Sequence, residues 1–330
     1  MPSLFIYAFI LSLASLLIVI WISHKYDFFM DRHDDDKPQN FHTNSTPRAG
    51  GIGILLGMSL LLFFPLGAKF IISVLFAFFS GVIEDFHRSI SPRFRLFLQF
   101  MTALSAVLIS QTVVTYLGLG IVMPYWLGVI FSIFAIMGIM NAINIIDGFN
   151  GLASGLILLI LISFAFISYT HQNDELFHII MITIGATFGI FVLNFPKGKI
   201  FLGDGGAYLL GSIVAIIGIY LAAVYKTVSP WYIFAIFVYP VWEVIFSIVR
   251  KLSMKQSPLQ PDGYHFHMLV HNHITKNNPL TAIFILSFML PFLVASTWYA
   301  HSSIINVQIS LTFIGCYLLL YYYLYKKEKS

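Results

Sequence analysis

Apolar residues run almost unbroken along this chain, and short clusters of Pro, Gly and charge cut them into eleven segments. These are 4–22, 49–66, 69–83, 96–112, 126–143, 152–169, 177–195, 206–224, 231–249, 280–298 and 304–325. Only helices and closed barrels satisfy every backbone polar group in hydrocarbon, and barrel strands would alternate with a period of two. Apolar runs of roughly 17–22 residues fit helices instead. The pattern predicts an all-α polytopic membrane bundle of about 11 transmembrane helices. It keeps 49–66 and 69–83 apart, as two short helices joined by a tight turn at Pro65 to Ala68.

Composition agrees with this reading. Apolar residues make up 58% of the 330 residues and charged ones 10%, against roughly 45–50% and 25% in soluble proteins. The first run begins without a basic stretch and lacks a small-residue cleavage site, so it is expected to be a span rather than a signal peptide. The single cysteine, Cys316, lies inside the last run, which excludes disulfide and cysteine–metal frameworks.

Charge sets the orientation. With the N-terminus outside, the connections 23–48, 84–95, 144–150, 196–205 and 250–278 share one side with the C-terminal tail. Of the 18 basic residues, all but Lys69 and Lys226 then fall on that side. Positive charge marks the cytoplasmic face, so the N-terminus is expected to be periplasmic and the C-terminus cytoplasmic. No internal repeat is visible and no long soluble stretch exists. Residues 1–330 therefore read as a single transmembrane domain whose cytoplasmic loops form the active site.

Four polar clusters interrupt the apolar text on that face: "GVIEDFHRSISPRFRL", "NAINIIDGFNGLASG", "FLGDGGAYLLG" and "PDGYHFHMLVHNH". In the first, Glu84 and Asp85 are adjacent carboxylates, a pairing suited to a divalent cation or a general base. Arg88, Arg93 and Arg95 follow, and arginines suit phosphate oxygens. In the second, Asn144, Asp147 and Asn150 recur every three residues. On a helical turn they would share one face, with Gly148 and Gly151 admitting a ligand close to the backbone.

The third cluster, Gly203-Asp204-Gly205-Gly206, opens a helix. Its backbone N–H groups could cradle phosphate while Asp204 holds a hard cation. The fourth carries His265, His267, His271 and His273 after Pro261-Asp262-Gly263. Without a cysteine in the loop, and with oxygen ligands dominating elsewhere, these imidazoles suit a diphosphate better than zinc. Glu243 lies within the ninth run, where a lone carboxylate needs a partner on a neighbouring helix. Arg48 precedes a Gly-rich helix start, whereas Asp34 to Asp36 read as solvated loop.

Taken together, the clusters resemble the polyprenyl-phosphate N-acetylhexosamine-1-phosphate transferases of glycosyltransferase family 4, in the bacterial undecaprenyl-phosphate branch. The likeness spans Pro47 to His267. The family's paired aspartates correspond to Glu84 and Asp85, the first being Glu here, and a later acid is replaced by Arg88. Its Asn-x-x-Asp-Gly-x-Asp/Asn-Gly segment corresponds to Asn144, Asp147, Gly148, Asn150 and Gly151, and its metal-binding Gly-Asp to Gly203 and Asp204. Its His-x-His loop matches His265 and His267.

The resemblance implies transfer of a sugar 1-phosphate from a UDP-sugar to undecaprenyl phosphate, at the cytoplasmic face of a bacterial inner membrane. UMP would be released, and the lipid-linked sugar would initiate a cell-envelope glycan of the O-antigen kind. It assigns Mg²⁺, for which Mn²⁺ could substitute, to Asp204, Asn144 and Asp147. Asp85, partnered by Glu84, would deprotonate or orient the lipid phosphate. Asn150 and Gly148 would face uracil or ribose, and Arg48, Arg93, Arg95, His265 and His267 the phosphates. Nucleic acid is not an expected partner. A homodimer is compatible with the sequence, which fixes no oligomeric state. The rival reading is a polytopic secondary transporter of an anionic solute, whose site would lie near the bilayer midplane.

Overall fold

The computed structural model describes residues 2–30, 45–87, 90–257 and 262–329; Asp34 to Asp36, Arg88 and Pro261 lie outside them. The described residues form thirteen α-helices. They are α1 (Pro2–Tyr26), α2 (Gly50–Met58), α3 (Pro65–His87), α4 (Pro92–Ser110), α5 (Tyr125–Ile146), α6 (Leu152–Thr170) and α7 (Asp174–Asn194). There follow α8 (Gly203–Val224), α9 (Pro230–Ile236), α10 (Val238–Ser253), α11 (Phe266–Val270), α12 (Asn278–Trp298) and α13 (Ser303–Lys329). Among the described residues nine helices are long and apolar enough to cross a membrane, and α9 with α10 makes a tenth if the pair, bent by 74°, counts as one. The protein is an all-α, multi-pass membrane protein.

The eleven apolar runs all become helical, but the second is not of spanning length. Helix α2 continues as a 3₁₀ stretch, Ser59–Phe63. At 1.5 Å per α residue and 2.0 Å per 3₁₀ residue the two make about 24 Å, short of the roughly 30 Å hydrocarbon core. The segment still runs end to end. Gly50 N–H bonds to Phe201 O near the start of α8, and Leu66 N–H bonds to Glu175 Oε1 at the start of α7. The break also differs from expectation. Phe64 is the extended residue, and Pro65 to Ala68 form the first turn of α3, because the fixed φ of proline suits a helix start.

The same polar punctuation that marked boundaries in the sequence caps the helices. Ser91, Asn173, Ser229 and Asn277 accept backbone N–H groups at the starts of α4, α7, α9 and α12, satisfying donors that helix starts leave open. Helix α8 is buried along most of its length and is wrapped by α2, α3 and α5, while α1 lies along α7. Small residues set these distances, as is usual between membrane helices. Gly57 meets Ala8 and Ala186, and Gly211 meets Met140.

The two ends of the bundle are distinct. The end of α1 reaches the end of α3 through a Phe28–Phe86 ring contact, and Glu328 near the end of α13 contacts His273. The start of α1 therefore lies opposite the polar clusters, and the end of α13 lies beside them.

Candidate active site

Backbone stitching brings the segment before α2 onto the start of α8. Phe201 N–H donates to Pro47 O, Gly50 N–H to Phe201 O and Gly51 N–H to Leu202 O. Helix α3 closes from the other side, where Gly81 packs so tightly that a Cβ would run into the backbone of Asp204 and Gly205. Gly203 has φ +72°, and a Cβ there would meet Asp85 Oδ2 at 2.6 Å. Only glycine suits that position.

These packings gather five predicted site residues. Asp85 accepts the N–H of Asp204 at 3.0 Å through Oδ1 and that of Gly205 at 2.9 Å through Oδ2. Arg48 sits between the two acids, 3.7 Å from Asp85 and 3.6 Å from Asp204. Asn144 Nδ2 donates to Asp204 Oδ1 at 3.1 Å, while Tyr208 donates to Asn144 Oδ1 at 3.4 Å. Asp147 caps the end of α5. Burial pushes its carboxyl up to about 7, the positive charge of Arg48 opposes this, and Asp204 adds to the rise.

Two readings of the third and second clusters are corrected by this geometry. The amides of Asp204 and Gly205 are not free to cradle phosphate, because the Asp85 carboxylate, attracted to the positive end of α8, already takes them. Nor do Asn144, Asp147 and Asn150 share a helical face, since α5 ends at Ile146 and residues 147–151 form a turn. Asn150 is buried within that turn. Its Nδ2 donates to Pro196 O at 3.1 Å and its N–H to Asn278 Oδ1 at 2.8 Å, while Gly151 N–H reaches Asn194 Oδ1 at 2.6 Å. Its side chain braces the turn against the residues before α8.

The histidine loop packs against the turn after α5. His265 Nδ1 lies 2.9 Å from Glu243 Oε1, which also accepts Phe266 N–H at 3.1 Å; Tyr317 of α13 donates to Glu243 Oε2 at 2.9 Å. The buried Glu243 thus finds the partner on another helix that its position demanded. Asp262 is held by Arg250 at 2.9 Å, with Lys251 3.8 Å away. Burial opposes its ionisation, but the Arg250 hydrogen bond and charge keep its carboxyl below the usual range. His267 is fully buried, and burial holds its imidazole down to about 4 against the pull of Glu243. Its ring edge faces Gly148, where a Cβ would lie 3.7 Å from Nε2, and its ring meets that of Phe149 in a T-shaped contact.

Three predicted residues stand apart. Glu84 turns to Ile90 N–H at 3.3 Å. Arg93 is exposed at the first turn of α4 and takes no part in the ion pairs above. Arg95 is half-buried, and its charge is felt at Tyr208. Of the other histidines, His271 meets Thr281 at 3.2 Å and the ring of Phe149, and His273 pairs with Glu328. Among the described residues no group of three or more His, Cys, Asp or Glu side chains is placed to hold a metal ion. The candidate set is instead two carboxylates, Asp147 and Asp204; the Asn144 amide turns its Nδ2 to Asp204 and its oxygen to Tyr208, and so orients Asp204. That hard-oxygen set suits Mg²⁺, which takes one or two carboxylates and keeps several waters.

Tyr208, Asn194, Asn278, Tyr239 and Tyr317 were not singled out from the sequence. Two carried a signal, since Tyr208 follows Asp204 by four residues and Tyr239 precedes Glu243 by four, which puts each pair on one helix face.

Comparison with known proteins matches this region. A family model described as glycosyl transferase family 4 covers residues 68–222, the stretch that carries Asp85, Asn144, Asp147 and Asp204. A probable undecaprenyl-phosphate N-acetylglucosaminyl 1-phosphate transferase of Bacillus subtilis is 27% identical over 284 residues, 79% of this chain and 75% of the relative. An undecaprenyl-phosphate alpha-N-acetylglucosaminyl 1-phosphate transferase of Thermotoga maritima is 28% identical, with 83% of each chain covered. A phospho-N-acetylmuramoyl-pentapeptide-transferase of Caldicellulosiruptor bescii is also 28% identical, over 80% of this chain and 89% of the relative. The family match falls on the helices that bring these acids together, so that residues 68–222 are similar to glycosyl transferase family 4.

Proposed function

We propose that the protein transfers an N-acetylhexosamine 1-phosphate from a UDP-sugar to undecaprenyl phosphate, releasing UMP and leaving a lipid-diphosphate-linked sugar. The observation that carries this reading is the convergence of Arg48, Asp85, Asn144 and Asp204 within hydrogen-bond and ion-pair reach at one end of a membrane bundle. The names of the relatives support the reaction class, and the charge distribution supports a cytoplasmic, inner-membrane site.

An oxygen of the lipid phosphate attacks the sugar-side phosphorus of the UDP-sugar, and the bond from that phosphorus to the bridging oxygen breaks with UMP leaving. The lipid phosphate is already ionised near neutral pH, so it needs orientation and charge compensation more than a strong base. Arg48 lies where it can meet phosphate oxygens, and His267 presents an unused nitrogen across Gly148. Asp147 and Asp204, with Asn144 beside them, would hold Mg²⁺, which would offset the charge of the diphosphate. Asp85 is assigned to fixing the start of α8, and hence Asp204, in place of proton transfer. The His-x-His form favours an O-antigen-type glycan as the product's destination.

The transporter reading has one feature in its favour, the bend between α9 and α10. Glu243, the one acid of that pair, is engaged by three donors and would repel an anionic solute. The test is incubation of purified protein with labelled UDP-N-acetylhexosamines, undecaprenyl phosphate and Mg²⁺. UMP and a lipid-linked sugar are expected; no UMP from any UDP-sugar would overturn the reading.

A further inference from the structure

Tyr239 and Glu243 leave α10 one turn apart on the same face. Opposite them the rings of His265 and His267 lie parallel, their planes 4° apart and their centroids separated by 5.4 Å. Each ring is held at Nδ1, His265 by Glu243 at 2.9 Å and His267 by the Tyr239 hydroxyl at 3.1 Å. One helix thus fixes both imidazoles, the first through a carboxylate and the second through a phenol. Among the described residues the His267 ring is the hydrogen-bonding neighbour of that phenol, which is itself fully buried.

The far nitrogen of the two rings differs. His265 Nε2 lies 3.9 Å from Asp262. His267 Nε2 is buried without a hydrogen-bond partner, and the Nε2–Cδ2 edge of that ring is what a Cβ on Gly148 would meet outside its chain neighbours. A buried polar atom left without a partner beside the turn that carries Asp147 is costly unless something binds there.

A neutral imidazole has one ring proton, and the partner of one nitrogen decides which nitrogen carries it. We propose that Tyr239 is a positioning residue: its hydroxyl donates to His267 Nδ1 and so places the ring proton on Nε2, offered to a diphosphate oxygen lying over Gly148. The proposal rests on the phosphotransfer reading above. Phosphate oxygens only accept, so a neutral His267 can serve them in this tautomer alone. With the proton on Nδ1, a lone pair would face the anion.

The experiment is ¹⁵N-histidine NMR of the full protein in detergent without substrate, with His267→Gln identifying the resonances. The wild type is expected to show a protonated Nε2 and an unprotonated Nδ1 at His267, and Tyr239→Phe to mix the two tautomers. In kinetics Tyr239→Phe should lower kcat/KM for the UDP-sugar about tenfold, the size of one hydrogen bond to a charged group, and leave the KM for the lipid phosphate unchanged. A wild-type proton on Nδ1, or a Tyr239→Phe protein with unchanged tautomer and kinetics, would overturn the proposal. If Tyr239→Phe fails to fold, the wild-type spectrum alone decides. That spectrum needs no substrate, so its outcome is separable from a failure to release UMP.

Discussion

The carboxylate of Asp85, on α3, closes the first turn of the helix that carries Asp204: the Asp204 N–H meets Oδ1 at 3.0 Å, and the next amide meets Oδ2. A negative group at a helix N-terminus is favourable both as a cap and against the helix dipole. The position of Asp204 is therefore a consequence of Asp85.

Asp85→Asn keeps one acceptor oxygen and turns an NH₂ toward a backbone donor. One buried N–H loses its partner, at about 1–3 kcal/mol. A lower melting temperature in detergent is expected, with UDP-sugar binding and turnover falling together. Intact binding beside lost turnover would instead give Asp85 a part in the chemistry.

Gly148→Ala tests the gap in front of His267. A methyl there would lie 3.7 Å from Nε2, an ordinary van der Waals contact, so the fold should survive with a wild-type melting temperature. Activity should drop by at least tenfold, because the methyl fills the space proposed for a diphosphate oxygen. Full activity in a folded Gly148→Ala protein would remove the diphosphate from that spot.

Tyr317→Phe removes a 2.9 Å hydrogen bond to the buried Glu243 carboxylate. Hydrogen bonds to charged groups contribute about 1.5–3 kcal/mol, so thermal unfolding should move down measurably. Activity should fall with it, since the same carboxylate holds His265. A variant with unchanged melting and turnover would mean that His265 and Phe266 hold Glu243 without help.

Acid should destabilise the protein through His267. Its folded-state value of about 4 lies below the ordinary 6.5, so between those values the unfolded chain binds the proton and the folded one does not. Stability contributed by this ring is complete above about 6.5 and is lost as pH falls toward 4, to the extent of roughly 3 kcal/mol. Melting curves at pH 7 and pH 5 should therefore converge in His267→Phe relative to wild type. An equal drop in both proteins would place the acid sensitivity elsewhere.

Apolar runs made the helices legible in the sequence because lipid leaves the backbone few options, and the polar breaks located the site-facing ends for the same reason. Tertiary detail was less legible. The length deficit of Gly50–Phe63 could not be seen, because Phe64 and Pro65 are as apolar as the span they interrupt. Asp85 read as a base because its sequence neighbours are charged. Its actual partners are backbone amides of α8, more than a hundred residues away, and no side-chain pattern announces them. Asn150 read as a ligand-facing residue on a periodicity that held only while the helix continued. The turn after Ile146 swings it onto Pro196 and Asn278. By contrast, the need of Glu243 for company followed from burial alone, and Tyr317 supplies it.

That last contact ties the order of events during biosynthesis to activity. Tyr317 leaves the ribosome some fifty residues after His267, so the histidine pair is translated long before the hydroxyl that steadies its anchoring carboxylate. A nascent chain halted between them would carry every acid of the site yet lack a settled imidazole wall, and competence would arise only once the closing helix has entered the bilayer.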